Sequence, residues 1–112
     1  MAQRKLLLPT DDAGKRLREQ IEKGRQLVGQ SVNTHAELKQ YKLDRLRYTQ
    51  YNIEMLKALF GKDEDAFWKY KISSPGHGAS FEDELEFYRG LDREQVNELR
   101  GLDGLLLANA SA

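Results

Sequence analysis

Two histidines are the first candidates for chemistry, because imidazole is the side chain that most often serves as a general acid or base. His77 lies between Gly76 and Gly78 in a loop-like stretch, where no third group fixes the orientation of its ring. His35 falls in the first turn of a predicted helix, and Glu37 does not share its helical face, so the two form no metal pair. We therefore expect neither histidine to be catalytic.

The other reactive residue types also form no recognisable site. The sequence has no cysteine, which excludes thiol chemistry, disulfides and thiolate metal sites. Carboxylates gather at predicted helix starts, as in residues 82–86, where the helix dipole favours negative charge. The acidic run at residues 63–65 lacks the alternating ligands of a calcium loop, and the scattered glycines form no phosphate-binding loop. The sequence therefore predicts no enzyme activity, no metal and no cofactor.

The first element that could position a functional residue is a helix predicted over residues 13–28. An extended arm of residues 1–12 precedes it, and the last residues of that arm are candidate N-caps: Thr10, Asp11 and Asp12. The helix is amphipathic, and one narrow stripe contains Ala13, Leu17, Ile21, Gly24 and Val28. Gly24 is the position on this stripe where a neighbouring helix could approach closely.

The second predicted helix starts at a capping box, in which Thr34 accepts from the Glu37 amide and the Glu37 carboxylate returns to the Thr34 amide. No glycine or proline interrupts it before Gly61, which gives a helix about 40 Å long. Its apolar residues span about 180°, enough for two neighbours, so we expect this helix in the middle of the bundle. The arc comprises Leu38, Tyr41, Leu46, Tyr48, Ile53, Met55, Leu56, Leu59 and Phe60.

A short aromatic-rich segment over residues 66–72 and a loop over residues 73–79 precede the last helix, which starts at Ser80. The apolar stripe of this helix stays in phase across Gly90, and this favours one long helix. The alternative is a break at Gly90, with Asp92 capping a second segment.

Together these elements predict an all-α fold: an elongated helical bundle, coiled-coil-like, of three main helices in one domain over residues 1–112, with a frayed tail at 108–112. No stretch is apolar enough for a signal peptide or a membrane span, so we expect a cytoplasmic protein. The net charge is zero, but residues 1–50 carry 11 Lys/Arg and 6 Asp/Glu, whereas residues 51–112 carry 7 and 12. The two halves are expected to attract each other within the bundle, or else to align two copies head to tail.

Two groups of residues are candidates for interaction with a partner. Arg45, Thr49 and Asn52 fall within the apolar arc of the second helix, where buried polar groups need partners. An acidic residue of the last helix is the expected partner of Arg45; alternatively, these residues fix the helix register or face another protein. Large apolar side chains beside the loop either close the open end of the bundle or anchor a partner. The full candidate set is Arg45, Tyr48, Asn52, Phe67, Trp68 and Tyr70.

A nucleic-acid interface is the alternative function. Basic and aromatic residues interleave on the second helix, as in many nucleic-acid binders: Tyr41, Lys42, Arg45, Arg47, Tyr48 and Tyr51. The zero net charge argues against a strong electrostatic footprint, so we expect a protein partner rather than a nucleic acid.

The order of these features resembles the N-terminal helical region of certain bacterial proteins in which the helices precede a TIR-like, predicted nucleotide-binding domain associated with defence against phage. The resemblance runs over residues 6–106. It rests on Leu6-Leu7-Leu8-Pro9, on Ala13, Leu17, Ile21 and Gly24, on the Thr34-to-Leu38 start, and on Tyr51-Asn52 followed by Leu56, Leu59 and Phe60-Gly61.

The resemblance implies a function in self-association or sensing. A TIR-like domain is an α/β unit with a functional glutamate, and nothing in this sequence resembles it, so no nucleotide-hydrolysing or NAD-cleaving activity carries over. We therefore expect a non-catalytic helical module for protein–protein interaction or homo-oligomerisation within a bacterial defence system. The alternative is a nucleic-acid-binding regulator that uses the basic and aromatic side of the second helix.

Overall fold

A computed structural model describes residues 10–60 and 78–110, with side chains over residues 11–59 and 78–106. These residues form three α-helices: α1 (Thr10–Val28), α2 (His35–Phe60) and α3 (Phe81–Ala110). The described ranges contain no strand, and the molecule measures 49 × 24 × 18 Å. The prediction of an all-α, elongated three-helix bundle is therefore confirmed. The aromatic-rich segment predicted at residues 66–72 lies outside the described residues.

The ends of α1 and α3 differ from the predicted ones. Residues 10–12, predicted as the end of an extended arm, are helical because α1 begins at Thr10. Asp11 and Asp12 thus lie in the first helical turn, where the helix dipole favours a carboxylate, and not at the cap. The tail predicted at residues 108–112 is helical as far as Ala110.

The third helix is continuous through Gly90, so the alternative of a break there is wrong. Its N-cap lies at Ser80, where the sequence predicted the helix to start, and the Ser80 hydroxyl oxygen caps it by accepting from the Asp83 amide at 3.1 Å. Gly78, with a φ of 77°, precedes this cap in the left-handed region that favours glycine. Asp92 is consequently an interior residue of α3.

The capping box of α2 forms with one change. The Glu37 amide donates to the Thr34 hydroxyl oxygen at 3.1 Å, as predicted. The Glu37 carboxylate accepts from the Asn33 backbone amide at 3.1 Å and from the Thr34 hydroxyl at 3.2 Å. The backbone donor is thus Asn33, one residue before the predicted Thr34.

The pairing of residues between helices defines their directions. On α1 and α3, Arg18 meets Asp103 while Gly24 lies beside Val96, so these helices are antiparallel. On α2 and α3, the His35 ring contacts Phe81 and Arg45 contacts Asp92, so these helices are parallel. Helix α3 therefore begins at the same end of the bundle as α2.

The closest approach in the bundle occurs at Gly24. A Cβ atom at this position would lie 2.5 Å from Val96 Cγ2 on α3 and would overlap the Tyr48 hydroxyl on α2. The predicted close approach is thus confirmed, but α2 is not in the middle, because α1 and α3 pack directly against each other. Leu46, assigned to the apolar arc of α2, is 36% exposed and faces outward.

The oppositely charged halves of the chain form salt bridges with each other within the bundle. Two of the salt bridges between them are Lys42 with Glu84 and Arg18 with Asp103, the latter at 3.0 Å. Each contributes at most about 1 kcal/mol because both pairs contain an exposed partner. The predicted attraction between the two halves of the chain is therefore present within a single bundle.

Candidate functional site

Polar side chains form a buried network across the three helices. On α2 they recur every three or four residues and so share the face that is turned into the bundle. Their partners come from α1 and α3. The members are Gln20 on α1, Tyr41, Arg45, Tyr48, Thr49 and Asn52 on α2, and Asp92 and Gln95 on α3, all of them buried.

An ion pair lies at one end of the network. Arg45 Nε donates to the Asp92 oxygens at 3.1 and 3.2 Å, and Arg45 Nη2 lies 3.0 Å from Asp92 Oδ1. The Tyr41 hydroxyl donates to Asp92 Oδ2 at 2.7 Å. Asp92 is 0% and Arg45 4% exposed, so each charge depends on the other for solvation. The expected acidic partner of Arg45 on the last helix is therefore Asp92.

Side-chain amides continue the network towards α1. Gln95 Nε2 donates to Thr49 Oγ1 at 2.9 Å, and Asn52 Nδ2 donates to Gln95 Oε1 at 3.0 Å. Gln20 Nε2 then donates to Asn52 Oδ1 at 2.7 Å. The Tyr48 hydroxyl donates to the Gln20 carbonyl oxygen at 3.1 Å. Each amide is thus both donor and acceptor or is held by one close partner, which fixes the helices in one register.

Burial shifts the protonation equilibria of the network. Desolvation raises the pKa of the Asp92 carboxyl, although Arg45 and the Tyr41 hydroxyl both act to lower it. Burial, followed by the charge of Asp92, raises the pKa of Tyr41 well above its usual value. Burial also raises the pKa of Tyr48 to about 12. Burial is the largest cause of all three shifts, so they reflect the packing of these groups inside the bundle.

The shift of Tyr48 predicts a loss of stability at alkaline pH. The unfolded chain loses this phenol proton near pH 10, whereas the folded chain keeps it to about pH 12. The Tyr48 contribution to the free energy of unfolding is complete below pH 10, and it then falls by about 1.4 kcal/mol per pH unit up to about pH 12. Urea unfolding measured at several pH values in this range gives the free energy of unfolding as a function of pH. This free energy should fall less steeply with pH in Tyr48→Phe than in the wild type, and equal pH dependence would contradict the prediction.

The network accounts for half of the predicted interaction residues. Arg45, Tyr48 and Asn52 are buried and hydrogen-bonded inside the bundle, and Tyr48 also lines a groove between α1 and α2. The remaining candidates, Phe67, Trp68 and Tyr70, lie outside the described residues.

Most of the basic and aromatic residues proposed to bind nucleic acid also have partners within the bundle. Tyr41, Arg45 and Tyr48 belong to the buried network, and Lys42 pairs with Glu84. Arg47 and Tyr51 stay exposed, and they line a groove of about 390 Å³ between α1 and α2. Lys23 lies over the Tyr51 ring at 5.5 Å, and the groove also contains Gln20, Gln26, Gln30 and Asp44.

Sequence reasoning missed three network members, although the helical period contained a signal for them. Gln20 lies between Leu17 and Gly24 on the stripe of α1 that faces the bundle. Asp92 and Gln95 continue the stripe of α3 that includes Leu85 and Leu99, also buried. A polar residue in phase with a buried stripe indicates a buried polar contact.

The remaining chemical candidates are the two histidines. His35 is exposed at the start of α2, with its ring 5.3 Å from that of Phe81 in an edge-to-face contact. His77 lies outside the described residues. Over residues 10–60 and 78–110, no three His, Cys, Asp or Glu side chains are close enough to hold a metal ion.

Large apolar side chains are exposed on the outward side of α2. Leu43 is 44% and Leu46 36% exposed, and the helical period aligns them with Ala36 and Gln50. On α3, Leu105 is 62% exposed. We call Ala36, Leu43, Leu46 and Gln50, with their charged neighbours Lys39 and Glu54, the outer face of α2.

Comparison of the chain with protein-family models, with curated proteins and with solved structures finds no match. The resemblance to the helical region of TIR-like defence proteins therefore remains an interpretation of the sequence. Among the described helices, none combines the length and the apolar character needed to cross a membrane.

Proposed function

We propose that this protein is a non-catalytic helical interaction module that self-associates through the outer face of α2. The observation that carries the proposal is the exposure of Leu43 and Leu46, which lie one helical turn apart. The polar residues that could have done chemistry are bonded to one another inside the bundle, whereas this apolar pair is open to solvent. Contact with a second copy would remove the pair from water.

The charges beside the two leucines favour an antiparallel arrangement. Lys39 and Glu54 lie on the same side of α2, 15 positions apart, which is about 22 Å along the helix. In an antiparallel pair of α2 helices, Lys39 of each copy lies beside Glu54 of the other, and Leu46 lies near the two-fold axis. A parallel pair would instead place like charges together. A closed, two-fold dimer is therefore the arrangement we propose.

The resemblance to the helical region of TIR-like defence proteins supports the same proposal, since it implies a function in self-association or sensing. We place this module in the cytoplasm of a bacterium, as part of a defence system.

Light scattering across a protein concentration series tests the proposal. The apparent mass should rise above the 12.9 kDa of one chain, and Leu46→Glu should hold it at that value. Leu105→Glu is the matched control, because it places the same charge at an exposed leucine of α3 and should leave the association intact. Circular dichroism establishes that each variant is folded.

A charge exchange tests the antiparallel arrangement. Lys39→Glu should weaken association because it places two carboxylates together, and Lys39→Glu with Glu54→Lys should restore it. A single-chain mass at every concentration would refute the proposed function, and failure of the exchange to restore association would refute the antiparallel geometry.

A further inference from the structure

A second surface, on the side where α1 and α3 meet, has the chemistry of a peptide groove. Two concavities of about 300 and 340 Å³ lie along this seam, and Arg25 lines both. Their apolar floor consists of Ile21 and Val28 from α1 and Val96 from α3. Four arginines surround the floor: Arg18 and Arg25 on α1, and Arg93 and Arg100 on α3. We call this surface the seam groove.

The seam groove concentrates positive charge in a chain whose net charge is zero. Its lining holds four arginines against two carboxylates, Glu22 and Asp103. Arg18 pairs with Asp103 at 3.0 Å, and Arg93 pairs with Glu86 at 2.7 Å. Among the described residues, neither Arg25 nor Arg100 forms a salt bridge. The guanidinium groups of Arg25 and Arg100 can therefore bind carboxylates of a ligand.

The smaller concavity is the more selective half of the groove. Val28 and Val96 form its floor, Arg25 and Arg93 lie at its sides, and its lining contains no carboxylate. The two valines offer an apolar surface to one side chain of a ligand, and the arginines offer charge to a carboxylate of the same ligand. A guanidinium group binds a carboxylate through two parallel hydrogen bonds, which makes this recognition directional.

The spacing of the arginines matches a helical ligand. Arg18 and Arg25 are seven residues apart, as are Arg93 and Arg100, and seven helical residues span about 10.5 Å. A ligand helix that repeats glutamate and leucine every seven residues presents its groups at the same interval. We propose that the seam groove binds an acidic amphipathic helix of a partner protein.

The lining favours such a helix over a nucleic acid. Single-stranded nucleic acids bind through aromatic side chains on which their bases stack, and the lining of the seam groove contains no aromatic residue. Its apolar floor would stay uncovered beneath a phosphate backbone. The charge of the rim and the apolar floor are both satisfied by one face of an acidic amphipathic helix.

Fluorescence anisotropy tests the proposal with labelled synthetic peptides. One peptide repeats leucine and glutamate with a seven-residue period, and the second replaces every glutamate with lysine. The glutamate peptide should bind the full chain and the lysine peptide should not. Arg25→Glu and Arg100→Glu should each weaken binding about tenfold or more, which corresponds to one lost charge-assisted contact.

Arg16→Glu is the matched control, because Arg16 is exposed on α1 but does not line the groove, and its affinity should equal that of the wild type. Val28→Ser should weaken binding without changing the charge. Equal binding of both peptides, equal effects of Arg16→Glu and Arg25→Glu, or displacement of the peptide by single-stranded DNA would each overturn the proposal. Leu46→Glu should still bind the peptide, so this test is independent of self-association.

Discussion

Replacing Asp92 with alanine is expected to lower the free energy of unfolding by about 3–5 kcal/mol, because it removes the carboxylate that pairs with the buried guanidinium of Arg45. The change also removes the acceptor of the Tyr41 hydroxyl. A loss of this size is a large part of the 5–15 kcal/mol typical of a domain, so the variant should be partly unfolded at moderate temperature. Urea unfolding followed by circular dichroism measures the effect.

Asp103→Ala provides the matched control on the same helix. Asp103 pairs with Arg18, whose side chain is exposed, so this change should alter stability by at most about 1 kcal/mol. If the two alanine variants lost the same stability, the ion pair between Arg45 and Asp92 would not be buried as the structure places it.

The combined replacement Tyr41→Phe, Arg45→Met and Asp92→Leu measures the net contribution of the ion pair to the free energy of unfolding. The single change Asp92→Ala measures the effect of removing one partner only. Burial raises the pKa of Asp92 despite two neighbours that lower it, so the ion pair does not fully offset its own desolvation. The apolar triple variant should therefore be as stable as the wild type or more stable. We infer that the pair's function is to fix the register of α2 against α3, rather than to add stability.

The sequence predicted the helices well because each depends on local chemistry. The Thr34 and Ser80 caps, the absence of a glycine or proline inside α2, and the unbroken phase of α3 across Gly90 are all short-range signals. The predicted start of α1 was wrong because several neighbouring side chains could cap the helix N-terminus. The helix begins at Thr10, the earliest of these candidates.

The sites were harder to predict because they depend on how the helices are rotated against one another. Asp92 follows Gly90 by two positions, which is also the pattern of a helix cap, and only its contact with Arg45 distinguishes the two cases. The seam groove is formed by side chains from α1 and α3 that are about 75 positions apart in the sequence, such as Arg25 and Arg100. No local pattern indicates that these arginines share one surface.

Gly24→Ala should show how closely the three helices pack, with an expected loss of about 2 kcal/mol. The added Cβ atom would overlap the Tyr48 hydroxyl and lie 2.7 Å from Tyr48 Cζ and 2.5 Å from Val96 Cγ2. Overpacking of about 3 kcal/mol outweighs the gain of about 1 kcal/mol from replacing a glycine within a helix. Thermal unfolding measures the difference.

Gly101→Ala makes the same chemical change where the bundle leaves room. Gly101 is exposed on α3, and no described atom lies within 4 Å of a Cβ atom at this position. This variant should gain about 0.5–1 kcal/mol, since alanine loses less backbone entropy than glycine on folding. Opposite signs for the two variants would show that close packing at Gly24, rather than helix propensity, makes glycine necessary there. If Gly24→Ala were also stabilising, α1 would not approach Tyr48 and Val96 this closely in solution, and the position of Gln20 in the buried network would be wrong as well.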